Sequence, residues 1–95
     1  MADPTDVVDN TARHRLELDV DGQLAHLDYT ESPGRLTLVH TVVPEALGGR
    51  GLGGLLVQAA LAKAIAGSLA VVPQCPYAKS WLDKHPDAAA QIVIE

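Results

Sequence analysis

The sequence predicts a small mixed α/β (α+β) domain whose mostly antiparallel sheet opens at one parallel strand pair, in the order β-β-β-α-β-α-β. Three observations carry this. Residues 15–43 read as three successive strands joined by tight-turn residues. A glycine run then leads into an Ala- and Leu-rich segment free of proline. A short apolar run follows, so strand, crossover helix and strand make one βαβ unit with a ligand site expected at the carboxyl ends of its strands.

Residues 1–12 carry Asp3, Asp6, Asp9 and Pro4 with little apolar content. They are expected to be a flexible N-terminal arm, with the domain spanning 13–95. Leu16, Leu18 and Val20 then alternate with Arg15, Glu17 and Asp19, the period of a half-buried strand. Asp21-Gly22 is a two-residue hairpin signal, because both positions must reach positive φ. Gln23–Thr30 returns as a second strand, and Ser32-Pro33-Gly34 turns the chain again. Arg35–Val43 is the third strand. Simple alternation puts Leu36, Leu38, His40 and Val42 on one face and Val39 and Val43 on the other, which predicts a central strand covered on both sides. Leu55–Ala66 reads as a helix with apolar residues almost all round, hence largely buried, ended by Gly67. Leu69–Val72 is a fourth strand parallel to the third. Tyr77–Lys84 is a second helix stopped by His85-Pro86, and Gln91–Ile94 a last short strand.

The 95 residues suffice for one small domain, and 47% hydrophobic content argues against disorder. Phe is absent and Trp81 is the single tryptophan, so the core must be built from Leu, Val, Ile and Ala. The formal charge of −5, with no Lys/Arg cluster, excludes nucleic acid as the main partner, since such proteins need a basic patch to displace counterions. One cysteine, Cys75, excludes an internal disulfide and any multi-cysteine metal site. The polar, acidic start and the broken apolar run Leu52–Ala66 offer no membrane span, and a cytoplasmic protein is expected.

The chemical signal lies in Gly48-Gly49-Arg50-Gly51-Leu52-Gly53-Gly54. Without Cβ atoms this backbone can approach a ligand closely, and the helix behind it adds free N–H donors and the positive end of its dipole. Those features suit a phosphate. No Lys-Ser or Lys-Thr follows, which excludes a nucleotide-triphosphate P-loop. The three preceding antiparallel strands exclude a dinucleotide fingerprint. A tight turn that merely needs glycines remains open on spacing alone.

The run Val42–Gly53 resembles the acyl-CoA pyrophosphate motif of the GCN5-related N-acetyltransferases, [Q/R]-x-x-G-x-[G/A]. Gly51 and Gly53 match its glycines, and Gly48 departs from its first position. More widely, His40-Thr41-Val42-Val43-Pro44, the glycine loop, Val72-Pro73-Gln74-Cys75-Pro76-Tyr77 and His85-Pro86 are similar to the minimal single-domain YjdJ-type branch of that superfamily, over roughly residues 13–90. The resemblance implies a trimmed acetyltransferase fold without the usual early helices, acetyl-CoA as cosubstrate, and an amine acceptor on a small molecule or peptide. A non-catalytic acyl-CoA-binding module and a protein-interaction domain on the same fold are the alternatives.

On that resemblance, the cofactor-binding candidates are Val42 and Val43 through their backbone, together with Gly48, Gly49, Arg50, Gly51, Leu52, Gly53 and Gly54. Acetyl transfer also needs a base for the amine and an acid for the departing thiolate. Cys75 is expected beside the thioester, as a nucleophile or as a small buried hydrophobe. Tyr77 is the candidate acid, or else a packing aromatic. His40 is the candidate base, or else a structural histidine, and His26 on the neighbouring strand lies near it if the register allows. Two histidines without a third ligand assign no metal. Glu45 and Lys79 read as solvated charges, Trp81 and His85 as packing and helix-end residues.

Overall fold

The protein was analysed as a computed structural model that describes residues 3–95. Five strands, β1 (Val8–Asn10), β2 (Arg15–Val20), β3 (Gln23–Ser32), β4 (Arg35–Val42) and β5 (Ala70–Pro73), form one sheet in sequential order. Neighbours are antiparallel from β1 to β4, and β4 pairs β5 in parallel. Helices α1 (Leu52–Gly67), α2 (Pro76–Lys84) and α3 (Pro86–Ala89) complete the chain. This is the expected mixed fold with its single parallel pair. No helix among the described residues is long and apolar enough to cross a membrane.

Local chemistry explains the elements. The β2–β3 hairpin turns at Asp21 (φ 54°) and Gly22 (φ 77°), the two positive values an Asp-Gly turn supplies. Helix α1 begins three residues before its sequence-predicted start, since Leu52, Gly53 and Gly54 already have helical geometry. Its buried stripe includes Leu56, Val57, Ala60, Leu61 and Ala64, which meet Leu16, Leu18, Leu27, Leu36 and Leu38 of the sheet in one core. Its opposite side, with Gln58, Ala62 and Ile65, is exposed, so the helix is less enclosed than its composition suggests.

Four sequence expectations change. Val8–Asn10, placed in the arm by composition, pairs with β2, and Asn10 accepts the Arg13 N–H to shape the turn that follows. Three residues are too few to show a strand period. Met1 and Ala2 of that arm lie outside the described residues. The last strand is a single bridge, Val71 to Ile94, held by Val71 N–H on Val93 O (2.7 Å) and Glu95 N–H on Val71 O (2.9 Å). The short helix α3 precedes it and was not expected.

The third and fourth changes share one cause. Asp28 pairs His40 and Tyr29 pairs Leu38, so Val39 is an extra residue on β4, a β-bulge. Leu36 and Leu38 face the helices before it. After it Thr41, opposite the buried Leu27, takes that side, while His40 and Val42 turn to the other face with Asp28 and His26. The alternation that grouped His40 with Leu36 and Leu38 is therefore broken. That second face is not covered: Val39 is 39% exposed, and the β2 and β3 residues on that side are the polar Arg15, Glu17, His26 and Asp28.

An ionic cluster ties the β1 edge to α1. The Tyr29 hydroxyl donates to Asp9 (2.5 Å), Lys63 Nζ donates to the same carboxylate (2.8 Å), and Glu31 lies 3.5 Å from Lys63. Burial, then the bond to Asp9, pushes the Tyr29 phenol up to about 12. The bond to Asp9 also holds the Lys63 ammonium above its usual range. Both groups thus keep their protons more firmly folded than unfolded. Their stabilisation is complete below the unfolded values near 10.0 and 10.5 and is lost as pH climbs through the raised folded ones. The melting temperature should therefore fall between about pH 10 and 12. Tyr29→Phe and Lys63→Met should each flatten that alkaline decline in a pH series of thermal melts.

Candidate functional site

The loop between β4 and α1 is pinned by buried apolar residues on both sides. Pro44 ends the strand, and a single 3-10 turn, Glu45–Leu47, drops Leu47 into the core. Leu52 enters the core again at the start of α1. Gly48–Gly51 between them is exposed. Gly49 (φ 78°) and Gly51 (φ 72°) hold backbone angles that side chains disfavour, and a Cβ at either would point into open space.

The amides divide at Gly48. Its N–H donates to Glu45 O (3.0 Å), so Gly48 helps close the turn and offers no donor outward. From Gly49 to Gly54 no N–H makes a hydrogen bond of good geometry to a described residue, although a weak turn closes over Gly48 and Gly49. The next, Leu55, closes onto Gly51 O at 3.3 Å. Gly51, the N-cap, has no side chain to satisfy the first turn of α1. The result is a row of free donors at the positive end of a 16-residue helix.

The sheet opens beside this row. β4 and β5 stay paired from Arg35–Ala70 to Leu38–Pro73. Gln74 N–H then bonds back to Val72 O (3.1 Å), the chain swings away, and Cys75 N–H makes the last link, to Leu38 O (2.8 Å). β4 continues to Val42 with no strand on that edge among the described residues. The bulge at Val39 sits where the partners part.

Cys75 caps α2 at the fork. It is 2% exposed, and its Sγ lies 3.3 Å from Thr41 Oγ1 on the helix side. Tyr77, in the first turn of α2 and 45% exposed, lays its ring over the start of α1. A Cβ on Gly53 would meet the Tyr77 ring and hydroxyl at 2.7–2.8 Å, and one on Gly54 would meet Trp81 Nε1 at 2.8 Å. The sequence reading assigned both glycines to ligand approach. In the fold their α-carbons make room for the two α2 aromatics, while their amides stay free. Trp81 in turn stacks on His85 with ring centroids 3.9 Å apart.

The remaining candidates are spread around the fork. Arg50 is exposed and its Nη1 pairs with Asp21 Oδ2 in the β2–β3 turn (3.2 Å). Val43 packs on the core, while Val42 faces the helix-free side opposite His26. His40 is exposed on that same side. Cys75 and Tyr77 thus flank the fork from the helix side, and His40 from the other. Sequence reasoning missed Thr41 as the partner of Cys75, which only the bulge explains. It also missed the contact of His26 Nδ1 with Asp28 Oδ1 (3.1 Å), although the two sit two residues apart on one strand face.

A loop of exposed glycines at a helix start thus lies beside a sheet that forks at its one parallel pair, in a mixed α/β domain. The family model of the GCN5-related N-acetyl-transferases matches residues 15–92, and the chain belongs to that family of acyltransferases. No curated protein is similar enough to add a relative to that match.

The packing role of the paired glycines is open to a spectroscopic check. Gly54→Ala must displace Trp81, the only tryptophan, and should shift its emission while lowering stability by about 1–3 kcal/mol. Gly53→Ala should displace Tyr77 first and leave the tryptophan emission near that of wild type. Unchanged melts and spectra for both would show that the glycines serve no packing role.

Proposed function

We propose that the protein moves an acetyl group from acetyl-CoA to a primary amine of a small molecule or peptide. The observation that carries this is the row of unbonded amides from Gly49 to Gly54 at the mouth of the forked sheet. Those amides suit the diphosphate. Arg50 is within reach of the same anion or of the 3′-phosphate once it exchanges Asp21 for a phosphate oxygen, a stronger charge-assisted partner. The unpaired β4 edge offers backbone donors and acceptors to an amide-bearing arm, and the Val42–Val43 backbone is the candidate oxyanion donor.

Acetyl-CoA supplies an activated thioester. The chain's own groups then divide the work. Tyr77, 45% exposed with its ring against Gly53, is the residue assigned to protonate the leaving thiolate in this reading. Cys75 sits buried at the fork and does not carry the acetyl group. Its thiol is buried and engaged with Thr41, whereas a covalent nucleophile needs an accessible thiolate. Direct transfer follows: the C–N bond forms as the C–S bond breaks, one proton leaves the amine nitrogen, and one reaches the thiolate.

Calorimetric titration with acetyl-CoA should give saturable single-site binding that weakens with salt. A hundredfold excess over Kd should add about 2.7 kcal/mol of stability. Absence of binding would sink the reading, and binding without turnover on a panel of amines would leave a carrier module in its place. Tyr77→Phe should lose the alkaline limb of the pH–rate profile. Cys75→Ala should keep turnover, and mass spectrometry of acid-quenched wild type should find no acetyl group on Cys75; an acetylated Cys75 would reverse that assignment.

A further inference from the structure

The helix-free face of the fork carries a second ordered group of side chains. Its centre is Asp28 on β3. The carboxylate contacts His26 Nδ1 at 3.1 Å, and Arg15 Nε lies 3.3 Å away as an ion pair that makes no hydrogen bond. A carboxylate only accepts, so in the neutral ring the His26 proton sits on Nδ1 and the Nε2 lone pair is left open. The His26 side chain is 17% exposed, so its ring is held by its surroundings as well as by Asp28.

Position adds to this. His26 pairs with Val42, at the end of β4, and Asp28 with His40. Both lie where β5 has already left β4. The bulge at Val39 turns this stretch of β4 toward the same face as His26. An acceptor reaching the fork from the side away from the helices meets this row. The charged and titratable groups facing it are Arg15 and Glu17 from β2, Asp28 from β3 and His40 from β4. Glu17 is itself occupied, accepting from Asn10 Nδ2 (3.2 Å) and lying 4.0 Å from Arg15. His40 is exposed and makes no side-chain hydrogen bond among the described residues, so nothing fixes its ring.

We propose that His26 is the base that receives the acceptor's proton and that Asp28, ion-paired with Arg15, is the positioning residue that fixes its tautomer. This rests on the acetyl-transfer reading. The amine nitrogen bonds to the carbonyl carbon, the C–S bond breaks, the proton shed by nitrogen goes to His26 Nε2, and the thiolate takes its proton from the Tyr77 hydroxyl. An imidazole held through Nδ1 by a carboxylate supplies what exposed His40 does not: a ring of fixed tautomer.

The test uses the full chain with acetyl-CoA and a primary-amine panel. His26→Gln should lower kcat/KM by about 100-fold or more and abolish the acid limb of its pH profile. Its calorimetric affinity for acetyl-CoA should match that of wild type. His40→Gln should retain the acid limb. Asp28→Asn should lower kcat and alter the ring-nitrogen NMR shifts of His26, because an amide no longer imposes the Nδ1–H tautomer. The assignment is overturned if the acid limb survives in His26→Gln or vanishes in His40→Gln. Should His26→Gln not fold, an Nε2–H tautomer in wild type overturns it equally. Wild type that neither binds nor transfers acetyl groups defeats the parent reading, whereas transfer with an unaffected His26→Gln defeats only this one.

Discussion

The arrangement at the fork depends on one extra residue. Val39 has no partner on β3, and β4 changes faces as it passes that point. Without it, Thr41 would point away from Cys75 and His40 would point into the leucine core, which has no place for an unpaired imidazole. A bulge also bends its strand and sharpens the local twist. Here it lies next to the last β4–β5 link, the Cys75 amide on Leu38. Switch of face and loss of partner therefore coincide. That coincidence gives the cleft a helix side carrying a thiol and a phenol, and an opposite side carrying imidazole and carboxylate.

The glycine loop serves two surfaces at once. Gly49 and Gly51 supply backbone angles that an L-side chain strains to reach, and their α-carbons face open space. Gly53 and Gly54 have ordinary helical angles and are small because Tyr77 and Trp81 press on them. Close approach of α2 to the first turn of α1 is what sets a phenol beside the free amides. The same four glycines thus leave open space at the front of the loop and make room for Tyr77 and Trp81 behind it. A loop chosen only for phosphate binding would need no second pair.

How far the sequence was legible follows the range of the physics involved. The alternation of Leu16, Leu18 and Val20, the Asp21-Gly22 turn and the proline-free α1 are local, and the fold class was readable from them. The parallel pair followed from the handed βαβ crossover. Period-two counting cannot see a bulge, since Val39 looks like any outward residue until β3 is laid beside it. The His40 face was misassigned for that reason. Strand β1 is held mainly by long-range contacts, Asp9 with Tyr29 and Lys63, which no window of ten residues contains. The loop was legible because five of the seven residues Gly48–Gly54 are glycine. The Thr41–Cys75 and His26–Asp28 pairs required register or side-chain placement.

Stability and access occupy opposite edges of the sheet. At the β1 edge, Asp9 gathers the Tyr29 hydroxyl and the Lys63 ammonium, and Lys63 spans the ring of Tyr29 at 5.1 Å. At the other edge, β4 and β5 part and leave backbone groups unpaired. A small domain has a thin margin of buried surface, so an open edge must be offset elsewhere. Helix α1 connects the two. Its first turn carries the free amides, and Lys63 in its later turns carries the tether to β1 and β3. Because a helix is stiff over this length, anchoring its far end restricts the tilt of its first turn, which follows the glycine loop. The ionic cluster far from the fork therefore helps hold the glycine loop in shape without touching it.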